Sequence, residues 1–371
     1  MTAQRELCSG RYRSRAAGVL IAGGVLGAVA ASALATSVAP VPAHASCIAT
    51  GLGTLGTGCS SGGPLQWAIA IGDGATATAS GGLFNLALAG GNGSSASTAP
   101  LVGGSSNFSI ALAWLGATAD AANGNFNIAR ALGTGAQAVV GGSTGAAGEP
   151  VGNFNLARAF GPGALAAATN GNLNWARAIG DRSTAISGAG GSLESARAFG
   201  YETAATATGG VAQYARSFGY RSAASATNGM LNVARAATYP YLLGGIAGAT
   251  ASAGNGNGNF ARAIGDGTIA ESGYGNVNLA WTGVVTPFNA NNGAYAQYGN
   301  GNLAAIWGNG NTARAGGTTG TGNNSNLAVV AGQFSTATAG PGSNNRVVVL
   351  GFNKNQSKPA AAASARAARQ H

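Results

Sequence analysis

The fold is decided by residues 152–229, which read GNFNLARAFGPGALAAATN (152–170), GNLNWARAIGDRSTAISGAG (171–190), GSLESARAFGYETAATATG (191–209) and GVAQYARSFGYRSAASATNG (210–229). One unit of 19 or 20 residues is written four times with small edits. Self-similarity at this period marks a solenoid or array and has to be settled before any local motif is read. Aligned on the first Ala of its Ala-x-Ala element, the unit continues in both directions. The anchors are Ala68, Ala87, Ala111, Ala129, Ala157, Ala176, Ala196, Ala215, Ala234, Ala261, Ala280, Ala304, Ala328 and Val348. Intervals of 24 to 28 residues hold insertions, expected after the second strand-like run of a unit, as at 141–150 and 240–256.

Within a unit the pattern has period two. Counting from the anchor, positions 0 and +2 are small (Ala157, Ala159; Ala176, Ala178), while −1, +1 and +3 are large (Leu156, Arg158, Phe160; Trp175, Arg177, Ile179). Gly usually follows at +4. A second run places Ala at +9 and often at +11, as in Ala166 and Ala168 or Ala205 and Ala207. Alternation over four to six residues bounded by Gly and Asn predicts strands. Gly and Asn recur too often for any helix to reach three turns. The expected fold is therefore all-β, a parallel β-solenoid (β-roll) of about 14 coils of about 19 residues, with two short strands per coil. At about 4.8 Å per coil the rod would be about 65 Å long. If the large face pointed inward, the +1 arginines would stack in a dry core with too few acids to pair them, at several kcal/mol each. The alanines are therefore expected inside, around a thin core.

The composition agrees: 65 Gly and 8% charged residues suit a thin core rather than a wide one. The predicted organisation is a signal peptide over 1–45, a disulfide-tied cap over 46–64, solenoid over 65–352 and a disordered, basic, Ala-rich tail over 353–371. The signal reading rests on Arg5, Arg11, Arg13 and Arg15, an apolar run from Ala16 to about Val38, and the small residues Ala43 and Ala45 before a cleavage site. The expected localisation is secreted or cell-surface, with an uncleaved anchor as the other reading of the same run. Cleavage removes Cys8 and leaves Cys47 and Cys59, an even pair expected to close a small disulfide loop outside the cell. It also removes four of the 19 Lys and Arg and one of the nine acids, leaving 15 against 8, a net +7.

A solenoid turns sequence columns into ladders. Position −2 carries Asn85, Asn127, Asn155, Asn174, Asn232, Asn259, Asn278, Asn302 and Asn326, with Gln66, Ser109, Glu194 and Gln213 in other coils. These are expected to hydrogen-bond from coil to coil as a structural amide ladder. Position +1 carries Arg130, Arg158, Arg177, Arg197, Arg216, Arg235 and Arg262, and is apolar toward both ends (Ile69, Leu88, Leu112; Trp281, Val329). Like charges about 5 Å apart in water repel by about 0.8 kcal/mol per pair, so such a column has a cost. Large residues flank it: Leu156, Trp175, Tyr214 and Phe260 on one side, Phe160, Ile179, Phe199 and Phe218 on the other. One reading is a stripe that binds a polyanion, an anionic lipid surface or an acidic glycan. The other is a self-packing face whose Arg stems cover neighbouring apolar groups. At +6, Arg182, Glu202 and Arg221 predict an alternating-charge ladder of small energetic worth. Asp73, Asp181 and Asp266 at +5 read as turn residues.

The inventory argues against catalysis. The only histidines are His44, inside the predicted signal, and His371. No Ser-His or Cys-His pair and no His metal site is expected, so no catalytic residue, metal or cofactor is assigned. A two-carboxylate glycosidase centre on Glu194 and Glu202 is the one enzymatic alternative.

The runs AIAIGDGATA (68–77) and ARAIGDGTIA (261–270) resemble the head repeats of trimeric autotransporter adhesins. That resemblance implies a left-handed parallel β-roll that trimerises and adheres to host matrix. The period here is near 19, longer than that family's, and neither a coiled-coil stalk nor a carboxy-terminal membrane barrel is expected. The Gly-Asn-Ala composition with a signal segment is also similar to secreted repeat proteins of mycobacteria. The function expected is a secreted or surface structural and adhesive protein, with a module binding anionic glycans or lipids as the alternative. Expected partners are an anionic glycan, a lipid or host surface, or further copies of the chain, and no specific nucleic acid. The segment YPYLL (239–243) and the Arg–aromatic face are the contact candidates.

Overall fold

The computed structural model describes residues 46–100, 105–141, 152–238, 248–283, 291–317 and 323–358. The predicted signal peptide and the YPYLL contact candidate lie outside the described residues. Two long sheets of 16 and 15 strands run the length of the molecule, and each coil contributes its first strand to one and its second strand to the other. The first sheet begins with two cap strands, Ser46–Thr50 and Gly53–Leu55. Its other 14 strands, from Trp67–Ile71 to Arg346–Phe352, are the first strands of 14 coils, numbered 1 to 14 here. The described residues form an all-β parallel solenoid, and each coil pairs with the next in unshifted register, as in Leu156↔Trp175 through Phe160↔Ile179.

The period-two alternation decides which face is buried. Ala157, Ala159, Ala176 and Ala178 are fully buried, as are Ala166, Ala168, Ala205 and Ala207 on the facing sheet. The +1 and +3 residues project outward. Two opposed layers of methyl groups bring the sheets close together, and the corners must be correspondingly tight. The +4 glycines meet this need. Gly161 has φ +100°, and a Cβ there would lie 2.8 Å from the carbonyl oxygen of Gly180 in the next coil. The +6 position is also left-handed. It is Gly in coil 5 (Gly163, φ +61°) but Arg182, Glu202 and Arg221 (φ 51°, 51° and 48°) in coils 6 to 8.

Three sequence expectations are corrected. The last anchor is Val347, not Val348, because Ala328 pairs with Val347. Val347 and Val349 are buried and Val348 faces out. The run Val347-Val348-Val349 has no small–large alternation, so nothing in it distinguishes the two registers, and a slip by one exchanges the faces. Insertions are not confined to one corner. Residues 142–151 follow a second strand, but 239–247 and 284–290 separate the first and second strands of coils 9 and 11. The interval 240–256 in fact contains the second strand of coil 9, Thr250–Gly254. Finally, the solenoid continues into the segment expected to be a disordered tail. Asn355–Lys358 pairs in parallel with Thr336–Ala339 and completes coil 14.

The amino-terminal end is closed by the strand Ser46–Thr50, which runs antiparallel to coil 1. Cys47 and Cys59 form a disulfide that joins this cap to the first strand of the second sheet, Cys59–Ser61.

Candidate anion-binding face

The −2 asparagines are buried at the corner and work differently from a stacked amide ladder. Each Oδ1 accepts the backbone N–H of the ladder residue one coil on, at 2.8–3.1 Å from Asn85 through Asn326. The Nδ2 of Asn127, Asn155, Asn174, Asn232, Asn259, Asn278 and Asn326 donates to a glycine carbonyl of the next coil at 2.7–3.2 Å. The expected side-chain-to-side-chain bonding is therefore corrected to side chain to backbone. At the corner the strands part and backbone groups lose their sheet partners, so a buried amide is needed to satisfy them. A side-chain ladder does exist two residues earlier, at the −4 position: Asn107→Asn125, Asn125→Asn153 and Asn153→Asn172 at 2.7–3.1 Å. Between the two columns, Phe84, Phe108, Phe126 and Phe154 stack with ring centroids 4.8–4.9 Å apart. Sequence reasoning missed both columns, although the repeated Asn-Phe-Asn at 125–127 and 153–155 carries the signal.

Glu194 replaces Asn in this ladder in coil 7. Its carboxylate accepts the N–H of Gly188 at 2.6 Å and of Gly210 at 2.9 Å. Burial pushes its carboxyl up to about 7 despite those two donors. Asp120, in the second strand of coil 3, is likewise pushed up to about 7 by burial. Glu202 lies at the opposite corner, where it pairs with Arg221 at 2.8 Å and Arg182 at 3.4 Å. The hydrogen bond from Arg221 leads in holding its carboxyl below the ordinary range. The predicted +6 charge ladder is present. The five-residue strand Ser195–Phe199 separates Glu194 from Glu202, roughly 17 Å of extended chain. The carboxyls of a glycosidase stand within about 9.5 Å of each other, so these two do not form such a pair.

The arginine column is in register through coils 4 to 10, from Arg130↔Arg158 to Arg235↔Arg262. No strand of this sheet contains Asp or Glu. The seven side chains are not equivalent. Arg158, Arg177 and Arg197 are half-buried, whereas Arg130, Arg216, Arg235 and Arg262 are exposed. One of the half-buried cases, Arg197, is accounted for by Ser195. It is the one small residue in the −1 column between Trp175 and Tyr214, and the Arg197 guanidinium occupies the gap, 4.5 Å from the Trp175 ring centre and 5.6 Å from that of Tyr214. Arg177 lies over Phe199 at 5.4 Å. Arg235 reaches Tyr214 at 5.6 Å and Phe260 at 6.0 Å. Guanidinium-on-ring packing is thus present in coils 6, 7 and 9, while the arginines of coils 4 and 8 to 10 are exposed to solvent.

Coils 8 to 10 also hold a groove of about 220 Å³, lined by Arg216, Arg235 and Arg262 together with Phe218, Ala237 and Ile264. It exists because the +3 column, large in the coils on either side, is Ala at 237. Two glycine gaps in the same column are already filled: a Cβ at Gly90 would collide with the Trp114 ring, and one at Gly283 would lie 3.1 Å from the Trp281 ring.

Among the described residues no group of three or more His, Cys, Asp or Glu is placed to hold a metal, and no helix is long and apolar enough to cross a membrane. The chain matches no protein-family model, no curated protein and no solved structure.

Proposed function

We propose that this chain is an exported, non-catalytic adhesive rod that holds extended anionic polymers, acidic glycans first among them, along its arginine face. One observation carries the reading: seven arginines stand in register in successive coils of a sheet whose strands contain no carboxylate. Charges at about 4.8 Å intervals repel one another unless an anion lies along them. The rigid ladder fixes their spacing in advance, so a linear polyanion would meet donors already positioned. Forked guanidinium donors suit sulfate and carboxylate groups. Export is part of the proposal, supported by the basic-then-apolar start of the sequence and by the Cys47–Cys59 disulfide.

The test is retention of the protein on immobilised heparin and polygalacturonate against neutral dextran, over a series of salt concentrations. Binding to both anionic matrices that falls steeply with salt is expected. Absent binding, or retention indifferent to salt, refutes the reading. A second reading, an anionic lipid surface, is favoured by the exposed Trp67, Trp114 and Trp307 that flank the arginine zone on the same sheet.

A further inference from the structure

We infer that the groove at Ala237 is an anchoring subsite for a single anionic sugar unit, a ring bearing sulfate or carboxylate, within a longer acidic glycan. The inference rests on the proposed glycan-binding face and names the place on it where specificity resides. Three observations combine there. The groove is ringed by Arg216, Arg235 and Arg262, three consecutive members of the column, each exposed. None of the three makes an ion pair with a described residue. The carboxylate nearest in the chain is Asp266, at the corner beyond Ile264, and it pairs with none of them. Residues 239–247, which follow this strand, contain no Asp or Glu. Among the described residues nothing pairs with the cationic rim.

The walls and floor are apolar. Phe218 and Ile264 form the two sides, one coil away in each direction, and Ala237 lies between them. An apolar slot with a rim of forked donors suits a ring whose C–H face is apolar and whose substituents are charged. At about 220 Å³, the groove is smaller than the 300–1,000 Å³ typical of pockets for whole drug-sized ligands. It therefore takes one unit of a chain, with the next units lying along the column. A bare inorganic anion would leave the apolar walls without a partner.

The experiment compares the full-length protein with Ala237→Phe and with two single-charge variants, Arg235→Gln and Arg130→Gln. Phe at 237 restores the residue type found at Phe199 and Phe218 in the same column, so the variant keeps the fold and every arginine while closing the groove. The probes are a heparin hexasaccharide, a galacturonate hexasaccharide and phosphatidylglycerol vesicles, at one salt concentration. The expected result is a loss of about tenfold or more in hexasaccharide affinity for Ala237→Phe and Arg235→Gln, with a change of less than about threefold for Arg130→Gln. Far-UV circular dichroism and the melting temperature check that each variant is folded. Equal affinity of wild type and Ala237→Phe overturns the subsite and leaves the general face intact. Equal losses for Arg130→Gln and Arg235→Gln overturn it as well, since the charge would act without regard to place. Loss of vesicle binding alone in Ala237→Phe overturns the assignment to a sugar. No binding of any probe by wild type removes the subsite and the wider face together.

Discussion

Replacing Glu194 by Gln should stabilise the rod at neutral and alkaline pH and remove part of its pH dependence. Glu194 is almost wholly buried and accepts hydrogen bonds from Gly188 and Gly210. Its carboxyl titrates at about 7 in the folded chain, whereas an unfolded Glu titrates near 4.3. The folded state therefore holds the proton more tightly than the unfolded state. The stabilisation linked to this is complete below about pH 4.3 and is lost as pH rises through about 7. At about 1.4 kcal/mol per pH unit, the loss is about 3 to 4 kcal/mol. Gln carries no charge to desolvate and keeps an acceptor oxygen for the Gly188 N–H, while the Gly210 N–H loses its acceptor, which offsets part of the gain. In the next coil, Gln213 already occupies the same ladder position and donates to the Gly229 carbonyl at 2.7 Å. The corresponding acceptor for residue 194 is the carbonyl of Gly210. Urea melts followed by far-UV circular dichroism at about pH 5 and about pH 8.5 supply the measurement. Wild type should be more stable at the acid pH, and Glu194→Gln should gain on it by up to about 3 kcal/mol at the alkaline pH. Parallel pH profiles for the two proteins, or a less stable variant at pH 8.5, would refute the account of this corner.

Asp120→Asn should flatten the same profile from another site, since burial raises that carboxyl in the same direction; additivity with Glu194→Gln in the urea series checks it. Asn278→Ala removes the acceptor for the Asn302 N–H and the donors to the Gly273 and Gly299 carbonyls, all at a buried corner. It should cost about 3 kcal/mol or more, seen as a lower melting temperature and faster amide exchange in coils 10 to 12. Opening the Cys47–Cys59 disulfide releases a short loop and should remove about 3 kcal/mol from the amino-terminal cap. Amide exchange in the strand Trp67–Ile71 should then rise while coils 8 to 10 stay protected.

The sequence by itself determined the coil, its count and its inside. Period-two alternation with Ala on one phase and Arg on the other leaves one workable orientation, because seven unpaired guanidinium groups cannot be buried. The alternating ladder of Arg182, Glu202 and Arg221 was legible for the same reason: equal spacing in sequence becomes vertical neighbourhood once coils stack in register. Where a column lacked contrast the reading failed, as at Val347 and Val348, whose faces only pairing with Ala328 could settle. The corner insertions were misplaced because a spacing between anchors does not say which of its two ends has grown. Only the tertiary structure separated the seven arginines. Which of them is sheathed depends on residues one coil away in a different column: Ser195 makes room for Arg197 between two rings, and Ala237 leaves a gap that no neighbouring ring fills. A period of about twenty residues puts those partners far apart in sequence, and the stacking of coils at about 4.8 Å brings them into contact.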